Sequence, residues 1–355
     1  MNWKPLRVII SGGGTGGHIF PAVSIANKLK ELNPETEILF VGAEGRMEME
    51  KVPAAGYKII GLPVAGLQRR LTLSNLALPF KVIRSIRIAK RIIREFKPDI
   101  AVGVGGYASA PLLWAAGKLG IPTLIQEQNG FAGLTNKIVI SGNPIRKEIV
   151  PADEDMKREA IEFYRLDPQK KHLFIVGGSL GSGTLNNAVM SWIRNGCPGG
   201  ENMEVIWQCG KYYKPSVDRF MKEAEAEGMG GGCLKYITHS DFIQRMDLAY
   251  AAADVVISRS GASSISELCA AHKASIFVPS PNVAEDHQTH NAMALVRKDA
   301  AIMIKDSEAV QKLMEEACRL IGDEARRKEM EKNIAGLALK DAAMTIAEEI
   351  YRIIG

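Results

Sequence analysis

The stretch Ser11 to Pro21, Ser-Gly-Gly-Gly-Thr-Gly-Gly-His-Ile-Phe-Pro, holds five glycines within six residues and constrains everything around it. Before it, Leu6-Arg7-Val8-Ile9-Ile10 is a short apolar, β-branched run that reads as a buried parallel strand. After it, Ala22 to Lys30 carries apolar residues at helical spacing. Strand, glycine loop and helix in that order bring the backbone close to a ligand and point free helix N–H groups at an anion. Gly12, Gly14 and Gly17 also match G-x-G-x-x-G, a weak pattern by itself. His18 adds an imidazole suited to acid–base work beside a phosphate-type loop. The plainer alternative is a tight turn whose His18 only caps the helix, but five glycines exceed what a turn requires.

The same alternation continues. Strands are predicted over Glu37–Val41, Tyr57–Leu62, Ile100–Val104 and Thr123–Gln126, with helices over Met47–Ala55, Leu76–Phe96 and Ala110–Leu119. The pattern restarts at the strand His172–Val176, which runs into a second glycine loop, Gly177 to Ser182, and a helix over Leu185–Ile193. Further strands are expected at Met203–Gln208, Cys233–Ile237, Val255–Ser258 and Ser275–Val278, and Lys312 to Ile354 reads as helical. Two such openings in 355 residues predict two Rossmann-like, doubly wound parallel-sheet domains facing each other across a cleft. The boundary is placed within Asn143–Pro151, giving domains 1–145 and 146–355, with room for the C-terminal helix to pack back on the first domain.

Composition narrows the class. A hydrophobic share of 46% with 24% charged residues is that of a soluble globular protein, and no apolar run reaches membrane-span length. The chain enters its first strand at once, which predicts no secretory signal. The five cysteines form no C-x-x-C, which argues against a disulfide framework or zinc site and for a reducing compartment. Charge is unevenly spread: from Arg69 to Lys97 there are nine Lys/Arg and one acidic residue, Glu95. Leu73 to Arg91 mixes leucines, Pro79 and Phe80 with basic residues, which fits an anionic membrane surface; a solvated helix face is the commoner outcome of such a pattern. No nucleic-acid module is recognisable.

Several further clusters carry chemistry. Ser179 in the second loop could hold a phosphate oxygen, or the loop could be a tight turn, with the two readings even. Ser258 to Glu267 opens a helix at roughly Ser263; Glu267 is either a capping-box residue or the acceptor for a ribose diol. Pro279 to Asn291 reads as a polar loop in which Gln288 suits a sugar. His287 and His290 beside Glu285 and Asp286 raise a metal site, disfavoured because glycine loops and helix dipoles already supply positive potential. Asp153-Glu154-Asp155 has the form of a metal-binding D-x-D but reads as a helix start.

In combination, Gly-Gly-Thr-Gly-Gly-His at 13–18, Gly-Gly-Tyr at 105–107, Glu-Gln-Asn at 127–129, Gly-Asn-Pro-Ile-Arg at 142–146, Gly-Gly-Ser at 177–179, Ser-Arg-Ser-Gly-Ala at 258–262 and Glu-Asp-His-Gln at 285–288 resemble the MurG family over nearly the whole chain. These are the N-acetylglucosaminyltransferases that convert lipid I to lipid II in peptidoglycan synthesis. The resemblance implies the GT-B fold, no required metal or other cofactor, UDP-GlcNAc and lipid I as substrates, and a peripheral place on the cytoplasmic face of the bacterial membrane. It also implies residue roles. Ser179 holds diphosphate, Arg146 lies near diphosphate or uracil, and Ile243 packs near uracil. Ala262, Ser263, Ser264, Ile265 and Ser266 take diphosphate and ribose, with Glu267 on the ribose hydroxyls. Gln288 binds the GlcNAc hydroxyls, and Thr15, Gly16, Gly17 and Asn129 reach the sugar. His18 and Glu127 are the candidate bases, with Gly14, Tyr107 and Gln128 on the acceptor side. One departure is plain: the family carries roughly a further strand and helix where Lys137 here runs straight into Ile138. A dinucleotide-dependent oxidoreductase, using Glu44 on the ribose, and a non-catalytic membrane-surface scaffold are the competing classes.

Overall fold

The structure, a computed structural model, describes residues 3–64, 78–127, 141–178, 180–283, 286–339 and 341–355. The chain divides into two units, Met1–Arg146 with Lys340–Gly355, and Lys147–Leu339. Each unit is a parallel sheet wrapped by the helices that connect its strands.

In the first unit the sheet order is β3-β2-β1-β4-β5. The strands are Arg7–Gly12 (β1), Glu37–Ala43 (β2), Lys58–Leu62 (β3), Ile100–Gly105 (β4) and Thr123–Ile125 (β5). β1 is central, with Ile9 opposite Leu39 on one side and Ala101 on the other. Val8, Ile9 and Ile10 are wholly buried, as a strand covered on both faces requires. The helices are Gly16–Leu32 (α1), Glu48–Ala54 (α2), Leu78–Phe96 (α3) and Ser109–Lys118 (α4). The last helix of the chain, Ala342–Ile354 (α13), also belongs here: Ile346, Ala347 and Ile350 pack into the cluster formed by Ile19, Ile25 and Leu29 of α1. Tyr351 anchors it by donating its hydroxyl to the Lys4 carbonyl at 2.8 Å.

The second unit has the order β11-β10-β9-β6-β7-β8. Its strands are Lys171–Val176 (β6), Met203–Gln208 (β7), Ile237–Ser240 (β8), Val255–Ser258 (β9), Ser275–Phe277 (β10) and Ile302–Met303 (β11). Its helices are Glu154–Tyr164 (α5), Gly183–Arg194 (α6), Lys214–Ala226 (α7), Met246–Ala252 (α8), Ala262–Ala270 (α9), His287–Val296 (α10), Ala309–Gly322 (α11) and Glu324–Ala335 (α12). Asp153 is the N-cap of α5 and accepts from the Met156 amide at 2.8 Å, so the Asp153–Asp155 run begins a helix as its sequence predicts.

Four sequence expectations are corrected. The segment Cys233–Ile237 is not a strand; Leu234–Tyr236 forms a 3₁₀ turn and β8 starts only at Ile237. Three consecutive glycines with positive φ, Gly230 to Gly232, break the extended run before it. The polar loop expected through Asn291 ends early, because α10 begins at His287. The helical tail is three helices, interrupted at Asp323 and again before Asp341, both of which cap the next helix with a side-chain oxygen. Finally, Cys197 and Cys233 form a disulfide, 36 residues apart with a Cα separation of 6.5 Å. That pairing joins the turn after α6 to the glycine turn before β8, and no local spacing announces it.

Candidate functional site

In both units the described glycine loops and helix starts singled out in the sequence follow the C-terminal ends of strands, where α/β proteins bind ligands. In the first unit the loop after β1 is shaped by its neighbours. The Gly13 amide donates to the Gly105 carbonyl at 3.3 Å. Gly106 has φ +90°, and a Cβ there would strike the Gly13 backbone, so only glycine lets the loop after β4 close on the loop after β1. Thr15 is the extended N-cap of α1, and Gly16 and Gly17 are its first two residues, in the turn at the positive end of the helix dipole.

His18 lies one residue further on and is half-buried. Its Nδ1 is 3.0 Å from the Gly13 carbonyl oxygen. A carbonyl can only accept, so Nδ1 carries the proton, and in the neutral ring Nε2 is the lone-pair nitrogen. Nε2 lies over Gly105, where a Cβ would fall 2.7 Å from it. Tyr107 is half-exposed, with the Arg46 guanidinium over its ring at 5.8 Å. Glu127 is exposed two residues after β5. Arg146 stacks its guanidinium on Phe20 of α1 at 5.0 Å. Gln128 and Asn129 lie outside the described residues, as does the Lys137–Ile138 junction.

One residue of this site escaped the sequence reading. Glu48, the first residue of α2, is 1% exposed. Its Oε2 accepts the Gly14 amide at 2.8 Å and its Oε1 accepts the Ala43 amide at 3.0 Å. Glu44, the acid the oxidoreductase reading needs, is exposed at the end of β2. The carboxylate turned into the loop is Glu48, and both its oxygens are engaged by peptide N–H groups rather than offered to a ribose.

The second unit repeats the device with a neutral side chain. Gln208, the last residue of β7 and 3% exposed, accepts the Gly177 amide at 3.1 Å. Its Nε2 donates to the carbonyls of Gly178, 3.0 Å, and Asp241, 3.1 Å. It therefore fixes the second glycine loop against the segment that carries the buried Ile243. Ser179 itself lies outside the described residues. Cys209, next in sequence, is no nucleophile: burial pushes its thiol up to about 11.

The α9 start is held from three sides. Gly261 is the N-cap, so the amides of Ala262, Ser263 and Ser264 fall in the first turn; Ile265 donates back to Gly261 and the Ser266 hydroxyl to Ala262. Arg259 donates to the carbonyls of Val278 and Pro279 and pairs with Asp306 at 2.6 Å. The Ser260 hydroxyl donates to the Gln288 carbonyl at 2.8 Å. Gln288 sits in the first turn of α10, and its Oε1 accepts the Ser280 amide at 2.9 Å, leaving Nε2 as the side chain's donor. Glu267 is the sixth residue of α9, past the third-residue position of a capping box, and its Oε2 accepts from the Tyr250 hydroxyl at 3.0 Å. Among the described residues no group of three or more His, Cys, Asp or Glu is arranged to hold a metal ion; Glu285 lies outside them.

Two doubly wound parallel units, each with a glycine loop and an anion-ready helix start at its sheet edge, define the protein as a GT-B nucleotide-sugar transferase. The chain belongs to glycosyltransferase family 28: residues 8–141 match its N-terminal domain and residues 172–346 its C-terminal domain. It is 50% identical to the UDP-N-acetylglucosamine--N-acetylmuramyl-(pentapeptide) pyrophosphoryl-undecaprenol N-acetylglucosamine transferase of Parabacteroides distasonis, covering 99% of each chain. The transferase of the same name from Cytophaga hutchinsonii is 47% identical over 99% of this chain and 98% of its own. Among solved structures, Acinetobacter baumannii MurG aligns with a TM-score of 0.72 at 25% identity, over 98% of this chain and all of that one. The two transferase alignments run over 375 and 378 residues, so these relatives carry stretches that the 355 residues here lack.

Proposed function

We infer that the protein transfers N-acetylglucosamine from UDP-N-acetylglucosamine to the MurNAc 4-hydroxyl of undecaprenyl-diphosphate-linked MurNAc-pentapeptide. The observation that carries this is 50% identity along 99% of a relative named for that activity. The reaction is an inverting displacement. The bond from the anomeric carbon to the acceptor oxygen forms as the bond to UDP breaks on the opposite face, and the hydroxyl proton passes to a base.

In this reading His18 is that base, because its geometry leaves Nε2 as the proton acceptor, with Glu127 as the rival and Gly14, Tyr107 and Gln128 lining the acceptor side. The charge developing on the diphosphate falls to the first-turn amides of α9, whose orientation is set before reaction, and to the loop around Ser179. Ile243 and Arg146 serve the nucleotide, Ala262 to Ser266 the diphosphate and ribose, and Glu267 the ribose diol. Gln288 uses its remaining donor on the sugar, and Thr15, Gly16, Gly17 and Asn129 contribute from the first unit. No cofactor is assigned. Label from UDP-N-acetylglucosamine should reach a lipid I analogue at the same rate with and without chelator; loss of transfer on chelation would restore a metal to the mechanism.

No helix among the described residues is long and apolar enough to cross a membrane. The acceptor is lipid-linked, and α3 offers a means of reaching it. Ala89, Ile92 and Ile93 bury one face of α3, while Lys81, Arg84, Arg87 and Arg91 are exposed together with Val82 and Ile83. Beside them Trp114 of α4 is half-exposed, with the Lys90 and Lys118 ammonium groups 5.2 and 5.7 Å from its ring. Basic residues around an exposed indole suit the headgroup zone of an anionic membrane. The stretch from Leu73 to Ala77 lies outside the described residues. Replacing Arg84, Arg87 and Arg91 with Gln should reduce sedimentation with anionic vesicles by roughly 10-fold or more, at about 1 kcal/mol per cation, and salt should mimic the change. Equal binding of the parent protein to neutral vesicles would remove the electrostatic contribution.

A further inference from the structure

We propose that Glu48 is a positioning residue that acts on His18 through one shared peptide group, the proposal resting on His18 as the base. The Gly14 amide that donates to Glu48 Oε2 and the Gly13 carbonyl that accepts from His18 Nδ1 are the two ends of the same peptide. The described chain has no cis peptide bond, so this N–H and C=O point in opposite directions. The carboxylate grips one end and the imidazole the other.

The link matters because, among the described residues, this peptide is held by Glu48, by His18 and by the packing of Gly106 against its Gly13 end. It joins two glycines, and Gly14 has φ +85° with, its chain neighbours aside, no atom of the described residues within 4 Å of where a Cβ would stand. A Gly–Gly peptide flips readily. Flipping would turn the N–H toward His18 Nδ1, which would then have to accept. The proton would move to Nε2, and the nitrogen that must take the acceptor's proton would already carry one. Glu48 blocks that flip. It is itself immobile: its Oε1 is tied to the Ala43 amide, and the carboxylate fills a niche made by two glycines. A Cβ on Gly13 would collide with the carboxylate, and one on Gly42 would fall 2.6 Å from Glu48 Cγ. The negative charge also polarises the peptide, strengthening the carbonyl that holds the imidazole.

Glu48→Gln is the informative change. Its amide oxygen can accept one of the two N–H groups, but its NH₂ then faces the other, donor against donor. The expected result is a kcat lower by on the order of 10–100-fold, as for other groups that orient a functional histidine. KM for UDP-N-acetylglucosamine should stay near that of the parent. In the His18→Ala background the same change should have almost no further effect on a radiolabel transfer assay, because the residue it acts through is gone. In ¹⁵N-histidine-labelled protein, the His18 resonances, assigned by their loss in His18→Ala, should move from the Nδ1–H toward the Nε2–H tautomer. If Glu48→Gln does not fold, Glu48→Asp, which keeps the charge but withdraws it, takes the same measurements. Near-normal turnover of the Glu48 variant beside a slow His18→Ala overturns the relay and leaves the base intact. An equal fall in both backgrounds, with an unchanged tautomer, makes Glu48 a support of the fold only and also overturns it. Near-normal turnover of His18→Ala removes the base reading, and the relay with it.

Discussion

His18→Ala is expected to lower kcat by roughly 10²–10⁴, the usual worth of a general base, with little change in the affinity for UDP. The size of the effect follows from geometry. The proton-bearing Nδ1 is committed to the Gly13 carbonyl at 3.0 Å, so the imidazole cannot turn over without losing that bond. Nε2 is thereby fixed as the nitrogen that meets the acceptor hydroxyl. The affinity for UDP should hold because the residues assigned to uracil, ribose and diphosphate, Arg146 apart, stand on the second unit, and His18 on the first. Glu127 is the rival. It follows the buried Gln126, whose amide donates to Asn143 at 3.3 Å, and it is exposed at the sheet edge. Measuring kcat and UDP affinity for His18→Ala and Glu127→Gln separates the two. Near-normal turnover of the first with a dead second variant would transfer the role to the carboxylate.

What the sequence reveals of this protein, and what it hides, divides along a physical line. The strand–loop–helix openings at Arg7–Gly12 and Lys171–Val176 are local: β-branched runs, glycines and helical periodicity lie within one stretch of chain, and the structure keeps their order, although α1 starts at Gly16, six residues before the expected Ala22. The residues that hold those loops in shape are not local. Glu48 sits in a run with Glu44 and Glu50 that looks like a solvated helix start, and nothing in the run marks which carboxylate turns inward. Gln208 looks like the polar end of a strand, yet it grips backbone groups 30, 31 and 33 residues away. The Arg259–Asp306 pair spans 47 residues, and the Cys197–Cys233 disulfide 36. Each is a tertiary partnership of a common residue type, so periodicity and motif spacing carry no trace of it. The one misplaced strand, β8, fails for a related reason, whereas β9 and β10 fall where they are read. Of β8 only Ile237 is buried, so no apolar alternation exists to announce it.

Glu267→Gln is expected to weaken UDP binding by roughly 10- to 100-fold, since a hydrogen bond to a charged group is worth about 1.5–3 kcal/mol and the diol makes up to two of them. Glutamine is the cleaner change because Glu267 has a second duty. It is 7% exposed, and its Oε2 accepts from the hydroxyl of Tyr250, which is 2% exposed. Alanine at 267 would leave that buried hydroxyl without this acceptor, at a cost of about 1–3 kcal/mol in stability. The amide oxygen of glutamine can still serve Tyr250, so stability should change little while the second acceptor oxygen and the charge are lost. Calorimetry with UDP and with 2′-deoxy-UDP discriminates the roles. The parent protein should prefer UDP strongly, and Glu267→Gln should bind the two nearly alike, because the group that rewards the second hydroxyl has gone. If Glu267→Gln keeps the parent's affinity for UDP, the carboxylate serves Tyr250 and the packing of α9 against the sheet, and the ribose must be held by another group at this edge.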